Sequence, residues 1–254
     1  MRVGLIKTSL VNFPGRVAAA VFLPGCNLRC PFCHNGELAR ASVVTGPKTD
    51  HADGEDYVEL DEVYAHLERR KNVLGGLAIS GGEPLLSPAT TELTRKAREL
   101  GLAVKIDTNG TLPDLLSSLV SDASLRPDMI AIDVKTSLSR YGELAMEPSR
   151  GEAFGAALAQ SISILRTASA AQGASGARPL RVEYRTVLVP GLVGEAEIRA
   201  IAAILPEDAD WELARFVPGT CLDPSYDGVE PYGPVALGKL VDLAKSLRAG
   251  AALR

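Results

Sequence analysis

The 254-residue sequence predicts an α/β protein, a partial (β/α)6 barrel built on one mostly parallel sheet. Two observations predict it. Short apolar runs alternate with longer segments of helical period along almost the whole chain, the pattern of parallel strands joined by crossover helices. The runs at 76–80, 102–107 and 129–134 also carry unlike residues on their two faces, because side chains two apart in a strand share a face. Leu77 and Ile79 oppose Gly76, Ala78 and Ser80; Val104 and Ile106 oppose Ala103, Lys105 and Asp107; Ile130, Ile132 and Val134 oppose Ala131, Asp133 and Lys135. Helices would cover the apolar set. The small and charged set must line something else, since parallel strands buried on both faces read as continuous apolar runs. A barrel interior that takes a polar ligand satisfies both faces, and about six strands rather than eight leave such a barrel open at the side.

The elements follow in order. An apolar run at 17–23 is the first strand and leads through Pro24-Gly25 into a cysteine-rich loop at 24–35. Residues 35–57 are polar and rich in Gly, Asp and Thr, and read as a long loop or lid bordering the open side. Asp61 is the expected N-cap of a helix running to about 72, with Leu60, Val63, Tyr64 and Leu67 on its apolar side. Strands at 76–80, 102–107 and 129–134 then alternate with helices at about 87–100 and 113–120, and a further helix spans about 152–170. After a small-residue loop at 171–179 come a strand at 180–189, a helix near 195–205, a strand at 210–217 and a final helix at about 235–247. The chain reads as a single domain, with residues from about 218 to 254 as a C-terminal extension.

Composition excludes several function classes. A net charge of −4 with no Lys/Arg runs gives no basic surface for nucleic acid. No stretch is long and apolar enough to span a bilayer, and Lys7, Asn12 and Pro14 interrupt the start of the chain, so neither a membrane nor a secretory h-region is expected. The expected location is the cytoplasm, where a tight cysteine cluster points to metal or catalysis rather than to a disulfide.

Chemistry collects at the carboxyl ends of the strands, where barrels and open α/β folds place their sites. The first strand ends in Cys26, Cys30 and Cys33; the second in Ser80-Gly81-Gly82-Glu83-Pro84; the third in Asp107-Thr108-Asn109-Gly110; the fourth in Asp133-Val134-Lys135. The fifth carries Arg181, Glu183 and Arg185 on one face. Two glycines let a ligand approach the backbone, Glu83 can accept from an ammonium, Asp107 or Asn109 can hold hydroxyls, and Lys135 and Arg185 can meet a carboxylate. Plainer readings stand beside these. GGEP serves as a turn before a proline-started helix, DTNG as a strand-to-turn junction, Asp133 and Lys135 as an internal ion pair, and the 181–185 face as an exposed edge strand. A structural zinc site would need a fourth ligand, and neither His34, adjacent to Cys33, nor Cys221, far from other cysteines in sequence, suits that place. Cys221 otherwise reads as an ordinary buried or loop cysteine, and His51 and His66 as loop and helix-surface residues.

The spacing Cys-x3-Cys-x2-Cys can hold three irons of a [4Fe-4S] cluster and leave the fourth open. In this it resembles the radical S-adenosylmethionine (SAM) superfamily. The chain as a whole is similar to activating enzymes of glycyl radical enzymes, most like the type that serves anaerobic ribonucleoside-triphosphate reductase. The motifs that carry the resemblance are SLVNFPG at 9–15, FLPGCNLRCPFCHN at 22–35, ISGGEPLL at 79–86, KIDTNG at 105–110, AIDVK at 131–135 and RFVPGTCLDP at 215–224. The chain departs from relatives in reading Asn12-Phe13 where Asp-Tyr is frequent, and Arg215-Phe216-Val217 where Gln-Phe-Arg is usual.

The resemblance implies a TIM-like radical SAM barrel with Cys26, Cys30 and Cys33 as cluster ligands. Phe32 and His34 would lie along the adenine, and Gly81, Gly82 and Glu83 would receive the methionyl amine. Asp107, Thr108 and Asn109 would serve the ribose region, and Asp133, Lys135 and Arg185 the rest of SAM, with Lys135 the candidate catalytic residue. It further implies a monovalent cation held with help from Asp107 and Asp133, a flavodoxin or ferredoxin as electron donor, and a glycine-bearing protein as substrate. The alternatives are a radical SAM enzyme acting on a small molecule, as a 7-deazapurine synthase does, and a non-catalytic Fe-S or zinc binding module.

Overall fold

The computed structural model describes residues 1–46, 51–52, 55–170 and 179–254. Its centre is a ten-stranded sheet in the order β10-β9-β8-β7-β6-β5-β2-β1-β4-β3. The six expected parallel strands are β2 (Ala18–Leu23), β5 (Gly76–Gly81), β6 (Ala103–Thr108), β7 (Met129–Asp133), β8 (Arg181–Leu188) and β9 (Asp210–Arg215), each paired in parallel with the next. The helices between them are α2 (Leu60–Arg70), α3 (Ala89–Glu99), α4 (Pro113–Ser121), α5 (Gly151–Ala170) and α6 (Glu195–Ile204), and α7 (Pro234–Leu247) follows the last of them. The sheet curls without closing into a barrel, since β3 and β10 are its two ends. Among the described residues no helix is long and apolar enough to cross a membrane.

Four strands escape the sequence reading. β1 (Arg2–Ser9) runs antiparallel to β2, with Val3 and Leu5 in the main core. β4 (Glu55–Glu59) pairs antiparallel with β1, and β3 (His51–Ala52) with β4. β10 (Ala251–Leu253) extends the other end in parallel with β9. The 35–57 segment is therefore not one long loop: it begins with a short helix, α1 (Gly36–Arg40), and ends in β3 and β4, while 47–50 and 53–54 lie outside the described residues, as does most of the 171–179 loop. The cap of α2 is also corrected: Glu59 holds the N-cap position and Asp61 lies in the first turn, where its negative charge still favours the helix N-terminus. β8 is central, between β7 and β9, so the edge-strand reading of residues 181–185 is overturned. His66, read as a helix-surface residue, is buried with its Nε2 donating to Lys7 O at 2.8 Å.

The two faces of the strands part as their alternation predicts. Leu77, Ile79, Val104, Ile106, Ile130 and Ile132 are fully buried in one core with Leu67, Leu93, Leu116 and Leu158 of the surrounding helices. On the inner face, Phe13 from the β1–β2 turn packs with Ala18, Ala103 and Met129 as an apolar floor. Gly76 makes room for that plug, because a Cβ there would lie 2.8 Å from Phe13 Cδ1. Above the floor the same face turns charged at Lys105, Asp107, Asp133, Glu183 and Arg185. A chain that seals the bottom of its barrel with small and aromatic residues leaves its polar interior accessible from the strand tops.

Candidate active site

β2 is buried at all six positions and delivers the chain into the cysteine loop from a rigid base. The loop is tied down on three sides. Leu28 is buried and bridges to Ala145, Arg29 N donates to Leu144 O (2.7 Å), and the Arg29 guanidinium folds back onto Cys26 O and Leu28 O (2.6 and 2.8 Å). Asn27 Nδ2 donates to Thr111 Oγ1 (2.7 Å) and receives Asn109 Nδ2 on its own oxygen (2.9 Å), joining the loop to the top of β6. From the far end of the chain, residues 219–223 form a strap: Leu222 N donates to Cys33 O and Asp223 N to Pro31 O, both at 2.9 Å, and His34 Nδ1 donates to Gly219 O (3.1 Å). Arg40 reaches back to Leu222 O (2.8 Å). Thr220 within the strap holds a left-handed backbone, φ 55°, which a β-branched residue adopts only under constraint. Cys221 is buried in the strap beside this loop, as a cysteine of ordinary burial.

Cys26, Cys30 and Cys33 are free thiols lining one cavity of about 560 Å3, within the size range of small-molecule sites. Burial pushes Cys30 up to about 12 and raises Cys26 as well, which disfavours the bare thiolate at both. Donors nevertheless point at sulfur: Leu28 N lies 3.4 Å and Asn109 Nδ2 3.8 Å from Cys26 Sγ. Cys26, half-buried and supplied with donors, and Cys30, buried and drawn down by the Lys135 ammonium, fit a metal centre that carries thiolates. Among the described residues no three His, Cys, Asp or Glu side chains converge on one point as a single ion would require. An iron–sulfur cluster assigns a different iron to each sulfur and does not need that convergence, so the donor set suits a cluster.

The same cavity collects nearly every residue picked out at the strand ends. Phe32 and His34 line it beside the cysteines; Gly81 and Gly82 line it from β5; Asp107, Thr108 and Asn109 from β6; Asp133 and Lys135 from β7; Arg185 from β8. Glu83 is the exception. It is fully buried and absent from the lining, with its carboxylate taken up by Leu85 N (3.1 Å), Thr108 Oγ1 (2.8 Å) and Asn109 N (2.7 Å). Burial pushes its carboxyl up to about 7 against those three donors. It ties the end of β5 to the end of β6 and is not placed to receive an ammonium itself. The glycines also have a reason the sequence reading lacked: a Cβ on Gly81 or Gly82 would lie 2.2 Å from Leu23 O or Gly25 O, so they let β5 press against the cysteine loop.

Lys135 and Arg185, expected to meet a carboxylate, meet the protein's own. Arg185 Nε donates to Asp133 Oδ1 (2.8 Å), with its Nη1 3.4 Å from Asp107 Oδ1, and Lys135 Nζ donates to Asp133 Oδ2 (3.2 Å). Lys105 pairs with Asp107. Burial alone would raise Asp133, but Arg185 and Lys135 outweigh it and bring the carboxyl down to about 2. Asp107 and Asp133 are thus already neutralised, and this arrangement does not fit a further monovalent cation between them.

Sequence reasoning gave no role to Leu28, Asn35, Ala39, Val187, Arg215, Val217 or Leu222, which also line the cavity. Val187 lies two residues past Arg185, and Arg215 and Val217 flank the buried Phe216, so strand alternation was the available signal for these three.

The sequence profile of the Radical SAM superfamily matches residues 20–197. A Methanocaldococcus jannaschii protein named as a glycyl-radical enzyme activating enzyme is 29% identical over 224 residues, 88% of this chain and 82% of that one. A 7-carboxy-7-deazaguanine synthase of Methanopyrus kandleri is 34% identical over 135 residues, about half of each chain (49% and 51%). The pyruvate formate-lyase-activating enzyme of Clostridium pasteurianum is 34% identical over 106 residues, 40% of each chain. Among solved structures, TYW1 with a lysine-pyruvate adduct superposes with a TM-score of 0.58 at 16% identity over 91% of this chain and 74% of that one. Streptococcus suis SuiB bound to SAM gives 0.55 at 17% over 92% and 50%. These structures share the fold. With the family profile covering well over half of the sequence, cysteine loop included, the chain belongs to the radical SAM superfamily.

Proposed function

We propose that the protein is a radical SAM activase that makes a glycyl radical on a partner enzyme, with anaerobic ribonucleoside-triphosphate reductase as the expected partner. The observation that carries the reading is one cavity lined at once by the three cysteines, by the glycine-only end of β5 and by the charged ends of β6, β7 and β8. The similarity to an activating enzyme over most of both chains supports the substrate class. When bound, the [4Fe-4S] cluster and SAM supply, after one-electron reduction by a flavodoxin or ferredoxin, a 5′-deoxyadenosyl radical that removes a hydrogen from a glycine Cα.

The chain's own residues do the rest. Cys26, Cys30 and Cys33 hold the cluster, and Phe32 and His34 flank the adenine. Gly81 and Gly82 offer backbone to the methionyl amine, and Asp107, Thr108 and Asn109 receive the ribose. Lys135, fixed by Asp133 and by its backbone N–H on Tyr141 Oη (3.2 Å), presents positive charge toward the cysteines. Glu83 and Arg185 position these groups. Four cysteines with no disulfide among them suit a reducing compartment such as the cytoplasm.

A second reading has one observation in its favour, the similarity over half the chain to a 7-carboxy-7-deazaguanine synthase, and assigns the radical to a small molecule. Anaerobic reconstitution decides between the readings. Dithionite and SAM are expected to yield 5′-deoxyadenosine, and Cys30→Ala to abolish it; an unchanged yield in that variant refutes the assignment. Adding the reductase is expected to produce a glycyl doublet in electron paramagnetic resonance. No doublet from an enzyme that still cleaves SAM favours the small molecule.

A further inference from the structure

Above its apolar floor, the barrel interior carries a chain of charges whose hub is Arg185. The guanidinium spans the two strand ends beside it, reaching Asp133 Oδ1 on β7 at 2.8 Å and Asp107 Oδ1 on β6 at 3.4 Å. Each carboxylate has a second cation, Lys105 on Asp107 and Lys135 on Asp133. Three cations therefore face these two carboxylates, with a third carboxylate, Glu183, nearby. One strand position below Arg185 on the same face, Glu183 is 2% exposed, with its Oε1 lacking a hydrogen-bond partner. Its other oxygen, Oε2, lies 3.9 Å from Arg181 Nη2, so this third carboxylate has a cation of its own.

An ion bound between Asp107 and Asp133 would have to displace Arg185 or sit in contact with it, and like charges at contact distance in a partly desolvated interior repel strongly. A planar guanidinium with donors along two edges can serve two carboxylates at once, which a spherical ion does only by recruiting further oxygens.

We propose that Arg185 is the protein's built-in counter-cation for the Asp107–Asp133 pair, so that the pocket assembles without an inorganic cation. The inference rests on reading this cavity as the SAM pocket, but its test does not need SAM. Arg185 acts here as a positioning residue, through the two carboxylates.

The test is thermal unfolding of the anaerobically purified protein in choline, sodium and potassium chloride at equal ionic strength. A cation that binds the native state raises the melting temperature in a saturable way. Wild type is expected to melt within about 1 °C in all three salts. Arg185→Gln, which uncovers the carboxylate pair, is expected to gain a saturable rise of several degrees in sodium or potassium over choline. A saturable sodium- or potassium-specific rise in wild type overturns the proposal, and so does an Arg185→Gln protein that folds and melts alike in all three salts. The wild-type arm stands whether or not the variant folds. In parallel, the SAM dissociation constant of the reconstituted wild type is expected to agree within about twofold among the salts. A tenfold loss in choline that potassium restores overturns the proposal, whereas failure to bind SAM in every salt refutes the pocket's assignment and leaves the melting result intact.

Discussion

Glu83 shows how one side chain can be placed at the right strand end and still do something other than its motif suggests. Its three acceptor contacts knit the ends of β5 and β6 into one rim of the cavity. Because all three partners are donors, an amide in its place turns an NH2 toward an N–H or O–H. Glu83→Gln is expected to lower stability by about 1–3 kcal/mol and to weaken SAM binding by displacing Asn109, as read by urea unfolding and equilibrium dialysis; unchanged stability would show that the network contributes little. Asp133 gives a pH dependence of known sign. Its carboxyl falls from 3.8 to about 2 in the folded state, so the stabilisation is fully present above 3.8 and is lost as pH falls through 2. After discounting for partial exposure this amounts to about 1–2 kcal/mol. The stability gap between wild type and Asp133→Asn is expected to hold steady above pH 4 and to shrink on further acidification; a gap unchanged near pH 2.5 contradicts the ion-pair account. At this scale the sequence showed which residue types stand at the strand ends. It could not show that Glu83 turns sideways into the rim, or that Arg185 answers two aspartates, because direction and partner depend on contacts between strands distant in sequence.

Among the elements, β5, β6 and β7 were legible because each joins an alternating face to a chemically marked end, and β2 because its apolar run leads straight into the cysteines. β1 was hidden by Lys7 and Thr8, which break its apolar alternation, and β4, with the sequence EDYVE, by acidic residues at three of five positions. The strap at 219–223 has no periodic signal, since it is defined by bonds to Pro31, Cys33 and His34 nearly two hundred positions earlier. The floor plug was half visible: Phe13 stands out in its motif, whereas its fit against Gly76 needs coordinates. Gly76→Ala places a methyl against Phe13 Cδ1 at 2.8 Å and Ala103 O at 3.1 Å. Overpacking of this kind costs about 1–3 kcal/mol, and Phe13→Leu should recover part of it, a coupling measurable by a double-mutant cycle in urea. Strictly additive effects would mean that the plug and the glycine are not in register.

For the whole molecule, the open sheet matters more than the count of strands. The cavity lies on the side where β2, β5, β6, β7 and β8 end and the strap crosses the cysteine loop. Arg215 and Val217, both exposed and both lining the cavity, border it from the last long strand. The fold class was legible from the alternation of its elements, and the cysteine spacing carried the chemistry. That the barrel stays open was legible from its count of about six strands; the short strands at the two edges were not, because strands of two and three residues lie below what periodicity resolves. The most direct measurement of the central claim follows the hydrogen. With the partner enzyme deuterated at its glycine Cα, reconstituted protein, reductant and SAM are predicted to give 5′-deoxyadenosine carrying deuterium together with a glycyl radical on the partner. Unlabelled 5′-deoxyadenosine formed at full rate, with no radical on the partner, would contradict the account.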